Sequence, residues 1–280
     1  MGDSMKIRIF AILNLLFFCM ILPACSFNQD NTSKSKQEIA QPGTKDFTQL
    51  IIERYKNKIP HQWGEKVTGV KTRLDTKEKV IALTFDACGG PKGSGYDSNL
   101  IEYLIKENVP ATLFINGRWI DANLKVFLGL SRNPLFDIEN HGFLHRPLSI
   151  NGKSAYGIKG TRNIREVIDE VSSNSKKIYS LTGKKTKFFR AGTAYCDEVA
   201  VQIVKDLGED VVSFSVLGDA GATYTKEQIK KAFLTASPGS IIICHMNHPE
   251  KETAAGLKLA IPVLKKQGFR FVKLKSYHLK

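Results

Sequence analysis

Apolar strands alternating with amphipathic helices from Lys79 to the C-terminus predict an α/β fold on a parallel sheet, either closed as a barrel or open. Three observations carry that expectation. Short β-branched runs such as residues 80–85 and 240–244 are apolar throughout, as in strands buried on both faces. Between the runs lie segments of helical periodicity, spaced as in βα units. Asp86, His141, Arg190 and His245 each follow an expected strand, and a parallel barrel gathers such residues at the C-terminal ends of its strands.

The elements follow in order. Residues 1–25 combine Lys6 and Arg8, an apolar run over 9–22 broken by Asn14, and the small pair Ala24-Cys25. This is the pattern of an export signal, and the run is too short to span a bilayer, which needs about 20 residues. Leu22-Pro23-Ala24-Cys25 resembles the bacterial lipobox, in which the cysteine becomes the lipidated first residue and anchors the protein to a membrane. Pro23 departs from the usual pattern, so cleavage nearby without lipidation is the alternative. Residues 26–45, rich in Asn, Gln, Ser and Lys, have the composition of a flexible tether.

Residues 46–78 begin with a helix, with Asp46 as N-cap, Phe47, Leu50, Ile51 and Tyr55 at helical spacing and Pro60 as its stop, and continue irregularly. The main domain occupies residues 79–280. Strands are expected at 80–85, 111–116, 136–139, 187–189, 210–215, 240–244 and 269–274. Helices are expected at 99–107, 127–132, 165–181, 198–207, 226–235 and 253–267, the third ending at Thr182-Gly183.

A chain of 280 residues, 42% of them hydrophobic, is long enough for one sizeable domain plus short appendages. Its net charge of +14 is spread along the chain, which favours anionic envelope or glycan surfaces. Zinc-finger, basic-zipper and RNA-binding aromatic motifs are absent, so nucleic acid is not expected as a partner. Oligomeric state is not legible. An exported chain can form disulfides, yet with Cys25 lipidated only Cys88, Cys196 and Cys244 remain, an odd number. Cys244, on a strand beside His245, should face away from it and pack as a hydrophobe.

The chemistry lies in three places. His141 and His145, four apart, can present two imidazoles to one ion from a helical turn. Asp86 ends an apolar strand and leads into Ala87-Cys88-Gly89-Gly90, where a carboxylate needs a cation, a catalytic reason, or a cap to satisfy. His245 ends another apolar strand, with His248 three residues on; such a histidine is a catalyst or simply a satisfied hydrogen bonder.

Read together, Thr84-Phe85-Asp86, His141-x-x-x-His145, Phe189-Arg190, Asp219 and Ile242-x-x-His245 resemble, in order and spacing, the motifs of the polysaccharide deacetylase family, carbohydrate esterase family four or NodB-homology domain. The resemblance covers roughly residues 79–274. It implies a distorted (β/α) barrel and hydrolysis of N-acetyl, sometimes O-acetyl, groups on glycans. It further implies Asp86 as general base, His245 as general acid, Arg190 as the residue orienting the base and Asp219 as the carboxylate tuning the acid. His141 and His145 are then the metal ligands, with zinc the expected divalent ion.

Four departures from the family pattern stand out. Ala87 replaces the second aspartate that usually completes the metal site, leaving Cys88, Asp97, Glu139, His248 or water to take its place. Gly142 stands where the family has Ser or Thr, and the third motif reads Arg190-Ala191-Gly192-Thr193-Ala194-Tyr195 without its prolines. The fourth motif lacks its tryptophan. Cys88 and Cys196 lie on loops beside the base and the arginine, where pairing, metal ligation by Cys88 and inert thiols all stay open. The leading expectation is an exported N-deacetylase acting on peptidoglycan or another N-acetylglucosamine polymer. The alternatives are an inactive glycan-binding module and a hydrolase of another amide or imide C–N bond on the same scaffold.

Overall fold

The computed structural model describes residues 45–280, with side chains from residue 47. The export signal, the lipobox Cys25 and the tether up to residue 44 lie outside the described residues. Among those described, no helix is long and apolar enough to cross a membrane.

The elements are α1 (Lys45–Tyr55), β1 (Val80–Ala87), α2 (Ser98–Lys106), β2 (Ala111–Ile115), α3 (Gly117–Ala122), α4 (Leu124–Arg132), β3 (Phe136–Asn140), β4 (Ser154–Ala155), β5 (Ile158–Lys159), α5 (Ile164–Thr182), β6 (Phe188–Phe189), α6 (Glu198–Asp206), β7 (Asp210–Val211), β8 (Val216–Leu217), α7 (Lys226–Phe233), β9 (Ser240–His245), α8 (Thr253–Lys266) and β10 (Arg270–Val272). The main sheet is parallel and ordered β7-β6-β3-β2-β1-β9-β8, with β10 added against the start of β1. It curls into the distorted barrel, with β4 and β5 forming a separate antiparallel hairpin.

Side-chain alternation on β1 sorts the core into layers. Ile81, Leu83, Phe85 and Ala87 join Leu100, Leu104, Leu257 and Ile261 of α2 and α8 in one cluster. Val80 and Ala82 point the other way, into the concave side with Phe114, Val212, Phe214, Ile241 and Ile243. A strand turns successive side chains to opposite faces, so Asp86 belongs to the concave side and Ala87 to the helix side. On β9 the same alternation sends Ile243 inward and Cys244 outward, and Asp86 pairs in register with His245. Cys244 thus packs as the hydrophobe expected of it, 1% exposed. A third cluster packs α1, α5 and α6 around Phe189 of β6.

Residues 210–215 differ from the single strand expected of them. The chain there leaves β6, where Val212 N donates to Phe189 O at 2.8 Å, and crosses to β9, where Ser215 N donates to Ile241 O at 3.0 Å. Two short strands, β7 and β8, result from this change of partner. The helix α3 is a second difference: Asn116, expected as the last residue of a strand, instead caps the helix by accepting from Arg118 N.

Candidate active site

The surroundings of Asp86 are built by β1 and the loop after β6. Asp86 is 2% exposed, and its Oδ1 accepts from Arg190 Nη1 at 2.6 Å. Arg190 is wholly buried, its guanidinium stacked over the Phe114 ring at 4.1 Å. It donates to Thr84 Oγ1, Val212 O and Ser213 O as well, so its position is fixed by β1, by β2 through Phe114, and by the crossing segment. Burial raises the Asp86 carboxyl, but Arg190, with His141 and His245 adding, outweighs it and holds the group below its ordinary value. The second carboxylate oxygen stays 3.5 Å from His141 Nε2.

His141 and His145 converge, though not on a helical turn. They stand on an irregular loop after β3, in which Gly142 has φ +71° and His145 φ +59°. Their rings meet edge to face at 4.8 Å between centroids. His141 Nδ1 bonds the carbonyl of Arg190 at 2.9 Å, leaving Nε2 for the cleft. Cys88 Sγ lies 3.9 Å from that Nε2, and one donor atom from each of Cys88, His141 and His145 lies within 4.8 Å of the others. Of the four residues considered as substitutes for the missing aspartate, Cys88 alone joins the imidazoles. Asp97 caps α2, Glu139 accepts from Lys187 N and Phe188 N, and His248 pairs with Glu250. Burial raises the Cys88 thiol, yet the imidazoles of His145, His141 and His245 reverse this and bring it well below its ordinary range. No disulfide forms among the described cysteines: Cys196 is buried against Gly64 O.

His245 faces the same cleft from β9. Its Nδ1 lies 2.9 Å from Asp219 Oδ1, while its backbone N donates to Asp219 Oδ2 at 2.7 Å. Thr253 Oγ1 donates to the same Oδ2, and Asp219 is fully buried. Burial lowers the imidazole, but Asp219 in contact, with a further contribution from Cys88, raises it well above its ordinary value. The least distinctive of the sequence motifs, Asp219, is thereby in direct contact with His245.

Several supporting residues belong to no sequence motif. Asn140, just before His141, bonds Val171 O, Glu209 and Gly142 N, and Asn174 reaches Asn140 and Ile115 O. Glu170 of α5 accepts from Leu144 N and Arg146 N on either side of His145. A Cβ at Gly142 would lie 2.3 Å from Glu170 Oε1, so the glycine makes room for the carboxylate that ties the loop. Side-chain amides and a helix glutamate carry no sequence signature at this distance. Gly192 is packed as closely, since a Cβ there would meet the carbonyl carbon of His145 at 2.3 Å. Gly192→Ala is therefore expected to destabilise the fold by about 1–3 kcal/mol, the scale of overpacking, as read by denaturant unfolding. A change below about 0.5 kcal/mol would show that the two loops separate freely.

These groups open onto a cleft of about 460 Å³ lined by Asp86, Cys88, His145, His245, Tyr156 and Leu217, among others. A family model described as "Polysaccharide deacetylase" matches residues 73–212. The chain is 27% identical over 234 residues to the peptidoglycan-N-acetylmuramic acid deacetylase PdaA of Bacillus subtilis, covering 79% of this chain and 81% of that one. It is 27% identical to the peptidoglycan-N-acetylglucosamine deacetylase PgdA of Listeria monocytogenes, over 69% of this chain and 38% of that longer one. The solved structure of B. subtilis PdaA, a family 4 carbohydrate esterase, superposes with TM-score 0.61 at 27% identity, covering 82% of this chain and 87% of that one. A family 4 pseudoenzyme of Bacillus anthracis, BA3943, shares the fold with TM-score 0.63 at 20% identity, covering 83% and 80%.

Proposed function

The chain belongs to the polysaccharide deacetylase family, and from that premise we propose that it is a metal-dependent hydrolase removing N-acetyl groups from an envelope glycan, peptidoglycan or another N-acetylglucosamine polymer. The observation that carries this reading is the facing pair of Asp86 clamped by Arg190 and His245 backed by Asp219, both beside the cluster of Cys88, His141 and His145. Two imidazoles and a thiol are the donor set of a borderline-soft ion such as zinc, and three protein donors leave a position open, as catalytic zinc sites do. Cys88, His141 and His145 would hold the ion. When bound, a divalent ion supplies Lewis acidity, which acidifies water and polarises the acetamide carbonyl.

The remaining work falls to the chain. Asp86, kept ionised by Arg190, accepts the proton of the water that attacks the acetamide carbon. His245, kept protonated by Asp219, gives its proton to the nitrogen as the C–N bond breaks, releasing acetate and a free amine. Acidic and basic partners are thus separated by environment, one carboxylate paired with a guanidinium and the other with the imidazole. The reading also takes the protein as exported and lipid-anchored at Cys25, in the compartment where such glycans lie.

Acetate release from N-acetylglucosamine oligomers, peptidoglycan and small amides, with zinc present, tests the reading. Glycan binding without acetate release would leave an inactive module instead, and release from small amides alone would move the substrate class.

A pH prediction follows from Asp219. The acid form of His245 is held up by this carboxylate, so activity should persist through neutral pH and fall as pH rises through the elevated imidazole pKa. Asp219→Asn removes the supporting charge and lowers that pKa. The alkaline limb of kcat/KM should then move to lower pH by about one unit or more, on the scale of an adjacent opposite charge. An unmoved alkaline limb would take His245 out of the acid role.

A further inference from the structure

Beyond the cleft, the reactive centre borders a second hollow in which Lys92 and Arg118 have no ion pair among the described residues. It encloses about 610 Å³, shares Cys88, His145 and His245 with the cleft, and is bounded further by Lys92, Arg118, Asn247 and His248 with no carboxylate in its lining. Glu250, which pairs with His248, lies outside that lining. Arg118 sits in the first turn of α3, its guanidinium close against the Gly90 backbone, where a Cβ would meet Nη1 at 3.2 Å. Its Nε is buried without an acceptor, and its guanidinium has no hydrogen bond or ion pair among the described residues. Arg146, Arg162 and Arg190, by contrast, each pair with a carboxylate. Asn247, 1% exposed, contributes a second unsatisfied group, with neither its Oδ1 nor its Nδ2 partnered.

A guanidinium nitrogen, Arg118 Nε, drawn out of water without a partner, and an amide buried with both ends open, each cost free energy that a polar ligand recovers. Arginine's planar fork matches a carboxylate in particular. We propose that Arg118, with Lys92 at the rim and the Asn247 amide beneath, forms an anion-binding subsite for a carboxylate carried on the glycan at or beside the reacting sugar. This rests on the glycan deacetylase reading and narrows its substrate to acidic glycans. Such a carboxylate has two sources, the lactyl ether of a muramic-type sugar or the C6 acid of a uronic sugar. The positive net charge of the chain would steer either one toward the site.

Calorimetric titration of the full zinc-loaded chain with three disaccharides decides the matter: one neutral, built of N-acetylglucosamine, one bearing a lactyl carboxylate and one bearing a uronic carboxylate. At least one acidic disaccharide should bind about 10-fold or more tighter than the neutral one, the scale of a hydrogen bond to a charged group, and the tighter acid identifies the source. That preference should shrink as salt rises. Arg118→Gln should erase it, and Arg118→Lys should keep part of it. A wild-type chain that binds acidic and neutral disaccharides alike, or binds neither, overturns the subsite without reference to any variant. So does a preference that survives Arg118→Gln. Failure to release acetate from any glycan would defeat the deacetylase reading yet leave the binding preference measurable.

Discussion

Asp86→Asn is expected to lower kcat/KM for acetate release at least about 100-fold while the protein stays folded, because the substitution removes the proposed proton acceptor but keeps the side chain's shape. The amide retains an oxygen at the place where Arg190 Nη1 donates, and Arg190 keeps Thr84, Val212 and Ser213 as partners. Loss of the carboxylate charge still leaves a wholly buried guanidinium without its counter-ion, and breaking a buried pair commonly costs about 3–5 kcal/mol. Preserving the hydrogen bond should hold the cost toward the low end. Unfolding curves and rates together therefore discriminate the roles. A folded Asp86→Asn protein with near wild-type rate removes Asp86 from the chemistry, whereas an unfolded one assigns the pair to stability. Arg190→Lys makes the complementary case: the charge survives but the fork does not, and Asp86 should be less firmly placed.

Strand ends are legible in this sequence and loops much less so. Runs such as Ile241-Ile242-Ile243 announce a buried strand through composition alone, and a residue at the end of such a strand has its face set by alternation. Composition and alternation therefore suffice to put Asp86 and His245 on one edge, and the two residues are paired in register across β1 and β9. The spacing of His141 and His145 locates the pair but implies the wrong backbone. Their approach depends on φ +59° at His145 and on Glu170 holding the neighbouring amides, neither of which spacing can encode. The break between β7 and β8 is likewise hidden, since an apolar run reads the same whether its partner strand changes midway or not. Among the possible replacements for the second aspartate, Cys88 stands out only because Asp97, Glu139 and His248 are each held elsewhere by their own partners. Ala87 itself turns toward the helices, which is a matter of pleat and not of residue type.

Replacing both His141 and His145 with alanine should abolish stoichiometric zinc binding, and Cys88→Ser should weaken it at least about 10-fold without removing it. The difference follows from the donors. In the proposed site the two imidazoles, which stand edge to face, would supply the nitrogen ligands, whereas a serine hydroxyl can still sit near an ion but binds zinc far less well than a thiolate. Metal content by mass spectrometry after dialysis reads the first effect, and competition with a chelator reads the second. Cobalt offers an independent signature, because a sulfur ligand gives sulfur-to-metal charge-transfer absorption in the near ultraviolet that oxygen and nitrogen ligands do not. That band should appear on loading the wild-type protein with cobalt and vanish in Cys88→Ser, while the visible bands of a bound ion persist. One equivalent of zinc retained by the double histidine variant would place the metal elsewhere. Cobalt bound without the sulfur band would keep the imidazoles and dismiss Cys88, leaving water or substrate oxygen to take the place of the missing aspartate.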